Sequence, residues 1–277
     1  MTAYNRQQYI GEAIESVLES TYKNLELIIV DDCSIDNTVA IAKSYESKDS
    51  RVRVYVNEKN LGDYPNRNKA SGYAAGEFIL YTDSDDMLLK ESIEKCVQLM
   101  ISYPEVNFGI YYPEEGIDTA YSIPSISAIR KQYFQSPYLQ VGPGGIFTRR
   151  SFFERVGKFP EKYGPANDMY FNVKAASQSD VLVIPFPLIF YRRHEEQELH
   201  NHYSYIINNY RYSKDLIDEL ELPLTVDEKK LILNKNRRRF AMNAFKYLIR
   251  TGNINKTINL FKEAGYSKMD LLKGLIH

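Results

Sequence analysis

Three short apolar runs, at residues 25–30, 52–56 and 78–81, limit what this chain can fold into. Each is rich in β-branched, leucine or aromatic residues and too short to be a helix, so each reads as a strand. The first is almost continuously apolar and ends in Asp31-Asp32, the pattern of a strand covered on both faces. Helical patterns separate the runs. Ile10, Ile14, Val17 and Leu18 recur at helical spacing within residues 5–21. Val39, Ile41, Ala42 and Tyr45 do the same after Ser34 and Asp36, either of which can cap that helix. A third helix is expected over 64–75, stopped by Gly76. A fourth follows on Leu89, Ile93, Cys96, Val97 and Met100, ending near Pro104. Strands alternating with helices at this spacing imply an α/β fold, a mainly parallel sheet with right-handed crossovers and flanking helices. Such sheets bind ligands beyond the carboxyl ends of their strands.

Two of the runs end in carboxylates. Asp31-Asp32 closes the first, and Asp83-Ser84-Asp85-Asp86 follows the third. Carboxylates crowded at a strand end repel one another and shed water at a cost, unless a cation lies between them. Hard oxygen donors of this kind suit Mg²⁺ or Mn²⁺, ions that usually serve substrate phosphates. Both acid groups fall on the same side of the expected sheet, so one cleft for a metal-bound diphosphate is expected there.

Composition narrows the partners. The formal net charge is −1, so no global basic field recruits nucleic acid. Cys33 and Cys96 are far apart and in no metal-ligand spacing, and are expected to be reduced, as in a cytoplasmic protein. No stretch approaches the ~18 apolar residues of a membrane span, so any membrane contact is peripheral. The 23 Tyr, with no Trp, read first as amphipathic core-and-surface residues, though tyrosines also line sugar-binding clefts. The middle, 106–193, is less regular. It holds Gly142-Pro143-Gly144-Gly145, a helical run at 167–177 and a strand over 181–191. Helices are expected over 205–220, 227–249 and 254–264, with a short last one. The division expected is 1–200 for the α/β domain and 201–277 for a helical extension.

Thr2-Ala3-Tyr4-Asn5-Arg6, Ile28-Ile29-Val30-Asp31-Asp32-Cys33-Ser34 with Asn37-Thr38, Asn60-Leu61-Gly62 and Asp83-Ser84-Asp85-Asp86 occur in that order. Together they resemble the family 2 glycosyltransferases of GT-A fold, over residues 2 to about 200. The resemblance implies inverting transfer of a sugar from a nucleotide-diphosphate donor, a UDP-sugar first, assisted by Mn²⁺ or Mg²⁺. The acceptor implied is a hydroxyl of a glycan or lipid-linked glycan, as in cell-surface polysaccharide synthesis.

By the same resemblance, Ala3 and Tyr4 edge the nucleotide pocket, and Asp32 bonds to the base. Asn60 and Arg67 lie near the donor, Asp83 near the ribose, and Asp85 ligates the metal. Asp31 and Asp86 are expected to brace loops. Asp168 is the expected base, removing the acceptor proton; read alone it would be a helix cap. Asn167 stands where the family has Glu. Gly142 to Gly145 resemble the segment below the acceptor. Arg193 is expected at the diphosphate and His194 as a further metal ligand. The family opens with a strand ending just before Thr2, and Met1 stands at its end here, so that strand reads as missing and the start of the chain as lying upstream. A basic run, Lys235 and Arg237-Arg238-Arg239 amid Phe240, Phe245 and Tyr247, is a solvated helix face or a surface for anionic lipid. The competing readings are a non-catalytic nucleotide binder and a sugar nucleotidyltransferase.

Overall fold

The computed structural model of the 277-residue chain describes residues 1–194 and 202–275. The first hundred residues follow the alternation read from the sequence: β1 (Thr2–Ala3), α1 (Ile10–Leu18), β2 (Leu27–Asp31), α2 (Thr38–Glu46), β3 (Val52–Val56), α3 (Asp63–Tyr73), β4 (Phe78–Leu80), β5 (Met87–Leu88) and α4 (Ser92–Ser102). β1, β2 and β3 form a parallel sheet in that order. Every residue of β2 is buried, as its unbroken apolar run requires. α1 lays Ile10, Ala13, Ile14 and Val17 on this sheet.

Thr2 and Ala3 form a short strand that sequence reading did not expect. Thr2 and Ala3 pair with Val30 and Asp31, and Thr2 also bridges to Asp83. The two-residue strand thus sits between β2 and the acid loop. The Met1 ammonium is buried, donates to the Ile28 carbonyl at 2.8 Å, and is pushed down to about 5 by that burial. Between β2 and β4 lies a cavity of about 470 Å³, lined by Met1, Leu27, Ile28, Phe78 and Leu80.

The irregular middle resolves into β6 (Phe108–Tyr111), β7 (Tyr121–Ile123), α5 (Ser125–Phe134), β8 (Ile146–Arg149), α6 (Arg150–Val156), α7 (Asn167–Ala176), β9 (Val181–Ile184) and β10 (Ile189–Phe190). Five strands form a second, mixed sheet in the order β4-β8-β6-β9-β7, with only β6 and β9 parallel. The single strand expected over 181–191 is two strands. Pro185 and Pro187 cannot donate to a ladder, so the chain leaves the sheet and β10 pairs antiparallel with β5 instead. That detour carries Tyr191 to His194 back to the acid loop.

Two other local expectations change. α3 ends at Ala74, which turns extended (φ −72°, ψ 137°), ahead of Gly76. The Glu26 carboxylate accepts from the Ala75 and Gly76 amides and ties that end to the entry of β2. Asp36 accepts from the Thr38 amide at the start of α2, whereas Ser34 bonds to Asp31 and Asn5.

The helical extension is α8 (His202–Glu219), α9 (Val226–Thr251), α10 (Ile254–Glu263) and α11 (Lys268–Leu275), close to the expected spans. α8 shares the main core, with Tyr212, Leu216 and Ile217 in one apolar cluster with Phe171 and Tyr163. Tyr163 and Tyr170 donate from that core to Asp215 and Glu219 on α8. Both are core residues with a bonded polar tip.

Candidate active site

Asp31 and Asp32, adjacent in sequence, do different local work. Asp31 accepts from the Ser34 amide at 2.8 Å and the Ser34 hydroxyl at 2.5 Å, bracing the turn that leaves β2. Asp32 is buried and accepts from Asn57 Nδ2 at 2.8 Å and from the Leu61 and Gly62 amides at 2.9 Å each. Three of its roughly four lone-pair sites thus hold the loop before α3. Gly62, at φ +90°, turns that loop into the helix, and Asn60 accepts from its amide. Asn66 and Lys69 extend the network through Asn57.

The acid loop follows β4. Asp83 accepts from Thr2 Oγ1 at 3.3 Å and from Arg67 Nη2 at 2.5 Å. The Arg67 side chain is buried, ion-paired also to Asp63, and lies 5.3 Å from the Tyr64 ring. Asp85 receives Arg6 Nε at 2.9 Å and meets His194 Nε2 at the same distance. The His194 ring stacks on Tyr9 at 4.8 Å. Asp86 is buried and accepts from the Arg192 amide at 3.0 Å. Burial pushes its carboxyl up to about 7, a rise opposed by that amide and reinforced by Asp83 and Asp85. One ligand oxygen from each of Asp83, Asp85 and Asp86 falls within 4.8 Å of the others. This hard donor set, with the His194 nitrogen on Asp85, fits Mn²⁺ or Mg²⁺.

Asp168 lies across the same cleft, a space of about 1070 Å³. It sits in the first turn of α7, but its carboxylate does not cap that helix. Oδ1 accepts from the neighbouring Met169 amide at 2.7 Å, and the Tyr64 hydroxyl bonds to the same carboxyl. Burial pushes Asp168 up to about 7; the Met169 amide, Tyr64 and the Arg67 charge oppose the rise. Asn167, where the family has Glu, accepts from the Tyr163 amide and donates to the Gly164 carbonyl, so it locks its own turn.

The glycine segment forms a tight turn at Pro143–Gly145. A Cβ on Gly144 would overlap Ile189 of β10, and one on Gly145 would overlap Val141. The overlap at Gly145 is with a stiff valine, that at Gly144 with the movable tip of Ile189, while Gly142 faces Asp168 on the cleft wall.

The cleft thus gathers Ala3, Tyr4, Asp32, Asn60, Arg67, Asp83, Asp85 and Asp168 on its walls, with His194 held on Asp85. Arg193 is exposed and is not part of the wall. Its neighbour Arg192 instead binds the Asp85 carbonyl and Glu12. Sequence reasoning missed Tyr64 as the partner of Asp168, Arg6 as the cation on Asp85, and Tyr9 under His194. Arg6 lay within a motif already singled out; nothing in local spacing marked Tyr64 or Tyr9.

Comparison with known proteins identifies the family and the fold. The family model Glycosyl transferase family 2 matches residues 1–157. The UDP-Glc:alpha-D-GlcNAc-diphosphoundecaprenol beta-1,3-glucosyltransferase WfgD of Escherichia coli is 41% identical over 101 residues, 36% of this chain and 39% of WfgD. Glycosyltransferase GlyG of Streptococcus pneumoniae is 37% identical over 110 residues, 39% of this chain and 36% of GlyG. The matched stretch therefore spans under two fifths of either relative. Among solved structures, S. aureus TarS 1-349 in complex with UDP-GlcNAc superposes with a TM-score of 0.74 at 22% identity, over 95% of this chain and 78% of that one. Mannosyltransferase PcManGT from Pyrobaculum calidifontis, in complex with GDP-Man and Mn²⁺, gives 0.65 at 16%, over 99% and 81%. These likenesses establish the GT-A fold, and the family match establishes the lineage: the chain belongs to the family 2 glycosyltransferases.

Proposed function

We propose that this chain transfers a hexose from a UDP-sugar to a hydroxyl of a glycan or lipid-linked glycan, with inversion at the anomeric carbon. The observation that carries the reading is the facing pair of acid sites, Asp83, Asp85 and Asp86 on one wall and Asp168 on the other, in one cleft. A UDP donor is favoured by the ligands of the TarS complexes and by the donor in the name of WfgD. The diphosphoundecaprenol acceptor in that name favours a lipid-linked glycan.

In this reading Ala3, Tyr4, Asp32 and Asn60 border the nucleotide, and Asp83, held by Arg67 and Thr2, lies near the ribose. Asp85, with His194 and its acidic neighbours, would hold Mn²⁺ or Mg²⁺, whose positive charge stabilises the departing diphosphate when bound. Asp168 takes the proton from the acceptor hydroxyl as that oxygen bonds to the anomeric carbon. The bond from that carbon to the diphosphate oxygen breaks, and its electron pair leaves with UDP. Attack from the face opposite the diphosphate inverts the centre. A base near pH 7 balances availability of the ionised form against proton affinity, and the burial of Asp168 supplies that balance. A cytoplasmic setting fits the two free cysteines, and no helix among the described residues is long and apolar enough to cross a membrane.

Calorimetry of UDP and of GDP, with Mn²⁺ and then with EDTA, tests the donor half. UDP binding that requires the metal is expected. Equal binding with EDTA would remove the metal from the reading, and preference for GDP would change the donor.

A further inference from the structure

The C-terminal helices carry a charge opposite to the rest of the chain. Residues 226–275, from α9 to α11, contain twelve Lys and Arg and four acids, eight net positive charges in a chain whose formal net charge is −1. The remainder is therefore −9. Three of the acids are engaged: Asp270 is ion-paired to Arg237 at 2.8 Å, Glu228 to Arg130 at 2.7 Å, and Glu263 accepts from the Tyr203 hydroxyl at 2.9 Å. Among the described residues, none of the exposed Lys235, Arg239, Lys246, Arg250, Lys256 and Lys262 is ion-paired to a carboxylate.

Apolar side chains are interleaved with these cations. On α9, Lys235, Arg239, Met242, Phe245, Lys246 and Ile249 recur at helical spacing on the exposed face, opposite the buried Ile232, Asn236, Phe240 and Ala244. Phe245 is 63% exposed and Ile249 70%. Ile254 and Ile258 on α10, and Met269 and Leu272 on α11, are exposed as well.

We propose that this exposed face of α9, in its basic helical surroundings, docks on an anionic lipid bilayer, lying along the headgroups. Lys and Arg would meet lipid phosphates while Met242, Phe245 and Ile249 enter the apolar boundary. A soluble polyanion satisfies the cations but leaves these apolar groups in water. A second copy docked face to face would set eight positive charges against eight. The acidic remainder is repelled by the same surface, so the charge asymmetry also orients the molecule. The proposal stands on this surface alone and does not depend on the transferase reading.

The test is co-sedimentation of the whole chain with vesicles of phosphatidylcholine, and of phosphatidylcholine with about 30% phosphatidylglycerol. Partitioning onto the anionic vesicles should be stronger by about tenfold or more, and should fall in about 0.5 M salt. The double variant Phe245→Ser/Ile249→Ser should lose about tenfold at an unchanged thermal midpoint, because both side chains are exposed. UDP calorimetry on the same samples reports on the cleft separately. Equal or absent partitioning onto the two vesicle types overturns the proposal. So does binding to polyphosphate and to anionic vesicles that the double variant leaves intact, which would make the face a polyanion site. Self-association in sedimentation velocity that the double variant abolishes would assign the face to a second copy and overturn it equally.

Discussion

The two acidic walls of the cleft are built from the same side chain and set among different neighbours. At the end of β4, Asp83 and Asp85 are surrounded by cations and donors: Arg67 and Thr2 on one, Arg6 and His194 on the other. Across the cleft, Asp168 is buried with a tyrosine hydroxyl and one amide for company, and rises to about 7. Opposite charge nearby favours the ionised form, while desolvation favours the neutral one. Burial raises Asp86 on the first wall to about 7 as well, so the walls differ in their company: three clustered carboxylates on one, a single carboxyl on the other.

The sharpest way to break this contrast is Asp168→Asn, which keeps the shape and removes the proposed base. Transfer should fall by about 10³-fold while UDP affinity stays put, measured by product release and by calorimetry. Wild-type transfer by the variant would send the search for the base elsewhere. Asp85→Ala addresses the other wall and should weaken metal-dependent UDP binding by about a hundredfold; unchanged affinity at saturating Mn²⁺ would remove Asp85 from the metal site.

The pH dependence sharpens the contrast next. The carboxyl of Asp168 is raised to about 7, so it is protonated and unable to accept below that value and ionised above it. Transfer should thus fall about tenfold per pH unit on the acid side and level off above about pH 8. A profile flat from about pH 5.5 to 8.5 would show that the group is not needed as a base. Smallest is the effect of Tyr64→Phe. Its hydroxyl stabilises the ionised Asp168, so removing it should move the midpoint upward by about half a unit. A downward move would mean that Tyr64 acts on the carboxylate in another way.

Legibility differed along the chain for a physical reason. In the first hundred residues each strand is a continuous apolar run and each helix repeats locally, so β2, β3, β4, α1 and α4 stand close to where periodicity put them. The C-terminal helices were legible for the same reason. The middle was not, because β6, β7 and β8 are three- or four-residue strands whose partners lie far away in sequence. Pro185 and Pro187 split what read as one strand, and only pairing with β5 revealed where the second half goes.

The site divides in the same way. Asp31-Asp32 and Asp83 to Asp86 were legible because they interrupt apolar runs at strand ends, and topology places such ends on one side of a sheet. Sequence alone thus determined the α/β class, the acid loop and the resemblance that singled out Asp168. Tertiary structure decided how the carboxylates differ. Tyr64 reaches Asp168 across about a hundred residues of chain, and the β10 detour carries His194 back to Asp85 over a similar span. A carboxylate's proton affinity depends on what surrounds it within a few ångströms, and those surroundings come from segments that only folding brings together.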